Sequence, residues 1–165
     1  MYDPASVVSG KDAILENYKG KNLLAALASD GVIVNAKFDR KELTVEVARE
    51  SIVSVCEGVK EDGYNFLEDV TAVDWYPSEP RFQITYSILS MSLKERLRLI
   101  VRLDSEGAAL DSITPVWPAA NFYEREIFDL FGVHFGGHPN LRRIMMPEDW
   151  KGHPLRKDYP VEGYR

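Results

Sequence analysis

Four ionisable residues crowd into one short stretch: Glu124, Arg125, Glu126 and Asp129. On a helix, Glu126 and Asp129 lie three apart and share a face, while Arg125 and Asp129 lie four apart and can pair. Two carboxylates on one face do acid–base work when burial drives their pKa values apart. Nothing nearby supplies a nucleophile or a phosphate cradle. Ion pairing, with neighbouring backbone or with a partner's arginines, is therefore the favoured role, and no catalytic residue is assigned. Histidines stand at positions 134, 138 and 153. A pair four apart on a helix binds zinc in H-E-x-x-H. Between His134 and His138, however, stand Phe135, Gly136 and Gly137, which disfavour a helix and omit the glutamate, so no metal site is assigned. The glycines of 132–137 (GVHFGG) do not form G-x-G-x-x-G, and the phosphate-binding G-x-x-x-x-G-K-[ST] pattern is absent. No cofactor site is assigned either. Arg142 and Arg143, with Lys151, Arg156 and Lys157 interleaved with Trp150 and Tyr159, resemble the mixture of charge and stacking surface that holds single-stranded nucleic acid.

The rest of the chain argues against that partner. Among 165 residues, 20 Lys and Arg stand against 26 Asp and Glu, a net charge of -6, so a protein partner is favoured over nucleic acid. At 45% hydrophobic, the chain suits a single domain with a real core. No apolar run approaches the roughly 20 residues of a membrane span, and residues 1–11 do not read as a signal peptide. The one cysteine, Cys56, excludes an internal disulfide and a four-cysteine cluster, and points to a reducing compartment.

The elements that would position these groups are expected as follows. A short apolar helix covers 22–29 and ends at Asp30 and Gly31. A strand over 32–38 puts Val32, Val34, Ala36 and Phe38 on one face. A charged turn follows, then Leu43, Val45 and Val47 alternate with polar residues. Ile52, Val53, Val55, Cys56 and Val59 form a helical stripe, with Cys56 a buried structural thiol. A strand covers 66–76. Phe82, Ile84, Tyr86 and Ile88 then face Leu97, Leu99, Val101 and Leu103 in a long antiparallel hairpin. Arg96, Arg98 and Arg102 form a basic row on its other face, either plainly solvated or a docking face for an acidic partner. A helix from Asn121 to a Gly132 stop opens with Glu124 three residues after Asn121, the spacing of a capping box. Residues 1–135 thus form a compact body of charge -8, and 136–165 a Pro/Gly-rich tail of charge +2. Four prolines bar a long helix there. Leu141, Ile144, Met145, Met146, Trp150, Leu155, Tyr159 and Tyr164 nevertheless make it an extended segment that lies in a groove, its own or a partner's.

A family resemblance sharpens this. The run EREIFDLFG (124–132), followed by HPNLRRIM (138–145), resembles the signature of the C subunit of respiratory complex I, the proton-translocating NADH:quinone oxidoreductase. The tail PEDWKGHPLRKDYP (147–160), DVTAVD (69–74), PRF (80–82), YSILS (86–90) and VWP (116–118) resemble that family too, so the similarity spans about 60–162. It implies an α+β, two-layer sandwich: helix, two strands, helix and three strands with a mixed sheet, then a helix and an extended C-terminal tail. It also implies an accessory subunit of the hydrophilic arm with no cofactor of its own. FMN and iron–sulfur clusters lie in partner subunits, and the tail runs over the neighbours that carry the terminal cluster and frame the quinone site. The assembly is then peripheral to the cytoplasmic face of a bacterial inner membrane. The residues expected to touch partners are Glu124, Arg125, Glu126, Asp129, His138, Arg142, Arg143, Trp150 and Arg156. Competing readings are the equivalent subunit of a membrane-bound hydrogenase or ferredoxin-dependent complex, a free-standing enzyme using Glu126, Asp129 and His134, and a stand-alone peptide- or RNA-binding module.

Overall fold

The computed structural model describes residues 7–20, 23–24, 27 and 31–164. The described elements are β1 (Val8–Ser9), α1 (Lys11–Asn17), β2 (Ile33–Asp39), β3 (Glu42–Val47), a 3-10 turn (Arg49–Ser51) running into α2 (Ile52–Glu61), β4 (Phe66–Asp74), β5 (Phe82–Ser90), β6 (Glu95–Leu103), β7 (Ala109–Asp111), α3 (Ala120–Phe131) and β8 (His134–Gly136). Six strands form a mixed sheet in the order β1-β2-β3-β6-β5-β4. Within it only the β3–β6 pairing is parallel; α2 and the β4–β5 hairpin make that crossover. β7 and β8 pair separately, in parallel.

The register explains the core. Leu43 faces Leu97, and Val45 faces Leu99. Phe82, Ile84, Tyr86 and Ile88 face Leu103, Val101, Leu99 and Leu97. Alternation therefore puts all of these side chains on one sheet face, where Ile14, Ile52, Val55, Cys56, Val59, Val116, Trp117 and Ile127 close over them. Layered this way, the chain is the two-layer α+β fold with a mixed sheet that the resemblance implies. Burial pushes the Cys56 thiol well up, which keeps it an inert core group.

The structure also bears on several expectations. The helix expected over 22–29, with its Asp30 stop, lies largely outside the described residues, although Leu24 is fully buried. In β2 the pairing slips between Ile33 and Asn35, so Val34 is an extra residue and points out, 63% exposed. The arginines of the basic row are ion-paired along the sheet surface. Arg98 and Arg102 pair with Glu42 and Glu46 of neighbouring β3, and Arg96 lies 3.6 Å from Glu68 of β4. The capping box does not form: Ala119 is the N-cap of α3, and Glu124 turns inward.

Candidate functional site

α3 carries three buried charged residues, Glu124, Arg125 and Asp129, and exposes Glu126. Gly132 ends the helix in the left-handed conformation, with φ of 75°. The chain then passes through β8 and doubles back, so residues 138–158 run along the helix from which they emerged. Two clamps hold this return path.

The first clamp is built on Asp129, whose side chain is wholly buried. Its Oδ2 accepts three successive backbone N–H groups, from Ile144 at 2.9 Å, Met145 at 2.7 Å and Met146 at 2.8 Å. Its Oδ1 accepts from Arg143 Nη1 at 2.6 Å. Such a row of converging amides is an anion site, here filled by the chain's own carboxylate. Burial by itself would push the Asp129 carboxyl up; the Met146 amide, the Arg143 guanidinium and the Ile144 and Met145 amides outweigh it and hold it below the usual range. Arg143 also donates to the carbonyls of Trp150 and Gly152, both at 3.0 Å, and so ties three points of the tail together. Arg125 does not take up the pairing with Asp129 that the spacing allows. It donates to the carbonyls of Arg142 and Arg143, both at 3.1 Å, bracing the same turn from the other side. Further on, His153 Nδ1 donates to the Asp129 carbonyl at 2.9 Å, the Leu155 amide to Leu130, and Arg156 to Phe131, satisfying carbonyls of the last helical turn.

The second clamp joins the tail to the end of the β4–β5 hairpin. Arg81 forks onto Asp74, with Nε and Nη2 each 2.9 Å from a carboxylate oxygen. It also grips Asp158 of the tail, at 3.0 Å and 2.6 Å. Asp74 in turn accepts the Lys157 amide at 2.8 Å. Burial opposes charge on Asp74, but the Arg81 fork and the Lys157 and Tyr76 amides outweigh it and hold its carboxyl down to about 2. The guanidiniums of Arg81 and Arg156 both lie over the Phe82 ring, at 4.9 Å and 5.3 Å from its centre.

Glu124 lies apart from both clamps. Ser112 Oγ donates to its Oε2 at 2.6 Å and the Ile113 amide to its Oε1 at 2.8 Å, fixing the loop between β7 and α3. His138 Nε2 stands 3.9 Å from the same Oε2.

The nine residues expected at a partner surface therefore divide. Glu124, Arg125, Asp129 and His138 are interior, and Arg143 and Arg156 are half-buried clamps. Glu126, Arg142 and Trp150 reach solvent. The interior set holds out a surface of apolar side chains: Ile144 is 39% exposed, Met145 59%, Trp150 40% and Leu155 51%. Composition alone missed Asp74, Arg81, Ser112 and Asp158. Asp74, Arg81 and Asp158 lie in runs that carry the family resemblance, and only the fold reveals their partners. A catalytic group drawn from Glu126, Asp129 and His134 does not assemble. Glu126 is exposed, and four donors occupy the Asp129 carboxylate. His134 sits against the edge of the Phe128 ring, beside an open cleft of about 340 Å³ lined by Arg49, Glu50 and Asp111.

Comparison with known proteins places this geometry. Residues 45–165 match the model of the respiratory-chain NADH dehydrogenase 30 kDa subunit family. The C subunit of the NADH-quinone oxidoreductase of Geobacter metallireducens is 48% identical over 133 residues, 79% of this chain and 82% of the relative. The corresponding protein of Roseiflexus sp. strain RS-1 is 43% identical over 150 residues, 89% and 86%. Among solved structures, a chain of the membrane-bound sulfane sulfur reductase, an archaeal respiratory membrane complex, superimposes with a TM-score of 0.71 at 26% identity, covering 82% of this chain and 81% of that one. A trypsin-resistant fragment of Nqo5 superimposes with a TM-score of 0.57 at 34% identity, covering 61% and 83%.

Proposed function

This chain belongs to the 30 kDa subunit family of the respiratory-chain NADH dehydrogenase, and we propose that it serves NADH-quinone oxidoreductase as a cofactor-free docking subunit of the hydrophilic arm. Its partners on this reading are the sister subunits that carry the terminal cluster and frame the quinone site. Electrons pass from NADH through FMN and clusters held by partners, and the isolated chain neither oxidises NADH nor pumps protons. Its one cysteine cannot ligate a four-cysteine cluster. No described helix is long and apolar enough to cross a membrane, so attachment runs through the assembly, at the cytoplasmic face of a bacterial inner membrane.

One observation carries the reading. The tail, whose sequence matches the family model to its end, is bolted to the body by interior charges and turns Ile144, Met145, Trp150 and Leu155 outward. Exposed apolar groups on a rigid support are what a stable protein interface requires. A tag on this chain, followed by native purification from membranes, should bring down an iron-containing assembly that reduces quinone with NADH. Recovery of the chain alone would overturn the proposal. Likeness to the sulfane sulfur reductase chain favours a second reading, the equivalent place in a related hydrogenase or ferredoxin-dependent complex. Failure of the co-purified assembly to oxidise NADH selects it.

A further inference from the structure

Two buried carboxylates stand five residues apart on α3, and their surroundings are opposite. Asp129 meets a guanidinium and three amides. Glu124 meets only neutral donors, the Ser112 hydroxyl and the Ile113 amide, and no ammonium or guanidinium donates to it among the described residues. What else faces it is neutral too. The Thr114 hydroxyl binds Ser112 Oγ at 2.8 Å. Tyr86 of β5 and Cys56 of α2 are both wholly buried, and their ionisation is pushed up by burial first and by Glu124 second or third. The neighbouring Arg125 is spent on tail carbonyls.

The remaining neighbour is His138, at the start of the tail, its side chain also wholly buried. The Asn140 amide donates to its Nδ1 at 3.0 Å, so that nitrogen carries no proton. Its proton is on Nε2, which donates to the Asn121 carbonyl at 3.2 Å. Protonating the ring would set two N–H groups against each other. The separation of 3.9 Å from Glu124 is about an ångström longer than the bond that a carboxylate and an imidazolium make when both are charged.

We infer that Glu124 and His138 form a charge-neutral proton-holding pair that seals the first turn of the tail onto α3, and that lifting this turn moves the proton from the Glu124 carboxyl to the His138 ring. The closed state is carboxylic acid and imidazole, with the acid O–H on Oε2 turned onto Ser112 Oγ, whose own hydrogen then goes to Thr114 Oγ1. The open, hydrated state is carboxylate and imidazolium, so no proton is gained or lost overall. Burial drives both groups the right way: it pushes the Glu124 carboxyl up to about 7 against the pull of the Ser112 and Ile113 hydrogen bonds, and the His138 ring below its ordinary value against the Asn121 carbonyl, with Arg125 adding to the lowering.

Linkage gives each half an opposite sign. A carboxyl raised in the closed state favours opening as pH rises from its ordinary range toward 7. An imidazole lowered in the closed state favours opening as pH falls below about 6.5. In the intact pair the two slopes cancel. The test is amide hydrogen exchange at residue 138, whose N–H is bonded to Phe135, in the full chain between pH 5 and 7, corrected for intrinsic rate. Wild type should stay nearly flat. Glu124→Gln should open up to tenfold per pH unit as pH falls, and His138→Asn up to tenfold per unit as it rises. Identical profiles in all three, or both variants moving the same way, would overturn the inference. If neither variant folds, wild type decides alone. At pH 6, carbon-13 and nitrogen-15 spectra should show a protonated Glu124 and a neutral Nε2–H His138; a carboxylate or an imidazolium there refutes the pair.

Discussion

Asp129 shows how one side chain converts local helix into long-range order. Its carboxylate neutralises Arg143 and fills a nest of three amides, all from residues 14 to 17 positions later. Asp129→Asn keeps the shape but removes the charge, and its amide N–H₂ points donors at donors. Breaking a buried, hydrogen-bonded ion pair costs about 3 kcal/mol; urea unfolding of the full chain should show a loss of that order, with trypsin cutting after Arg143 faster than in wild type. The pH dependence has a definite sign. Asp74 and Asp129 both ionise more readily folded than unfolded, Asp74 at about 2. Their stabilisation is complete above the ordinary aspartate range near 4 and is lost as pH falls toward 2. Thermal melts of wild type should therefore fall steeply over that window, and Asp129→Asn should fall less. The sequence showed these residues as a cluster and allowed Arg125 to pair with Asp129, whereas the structure gives that carboxylate to Arg143 and three backbone amides. Spacing on a helix fixes only which side chains of that helix are near, and Arg143 comes from an irregular segment with no period to read.

At the scale of elements, legibility follows regularity. The β5–β6 hairpin and the α2 stripe were readable because alternation and helical spacing survive intact in the structure. Periodicity misled where one residue broke it. The slip beside Val34 turns that side chain to solvent although its neighbours Ala36 and Phe38 keep their face. The capping box failed for another reason: Glu124 has the right spacing but is taken by Ser112, from a loop that only the fold brings near. The arginine row was legible, whereas its glutamates sit on strands made adjacent by the parallel β3–β6 pairing. The α3 stop was read correctly and does more than stop the helix. A Cβ on Gly132 would lie 2.6 Å from Arg156 Nη2 and from the His153 ring. Gly132→Ala should therefore cost about 2 kcal/mol, from the left-handed backbone and from unseating those two side chains. Faster amide exchange at Leu155 and Arg156, with α2 unchanged, is the expected signature.

For the whole molecule, the clamps separate holding the tail from meeting a partner. Arg142 and Arg143 are adjacent and chemically alike, yet Arg143 is half-buried and donates to four acceptors while the Arg142 side chain reaches solvent. Alanine at the two positions should therefore have different consequences. Arg143→Ala leaves the Asp129 carboxylate without its cation and should lower both the stability of the isolated chain, by about 3 kcal/mol, and its incorporation into the complex. Arg142→Ala should leave the isolated chain within about 0.5 kcal/mol of wild type, since exposed substitutions away from such features rarely cost more. If the outward surface is the one that docks, the same substitution should still lower recovery of the tagged assembly. Unfolding of each purified variant, set beside its yield of co-purified partners from membranes, separates the two effects. Equal stability of both variants would mean that the tail gains nothing from its clamp. Full assembly by Arg142→Ala would remove that side chain from the interface and leave Met145, Trp150 and Leu155 to carry it.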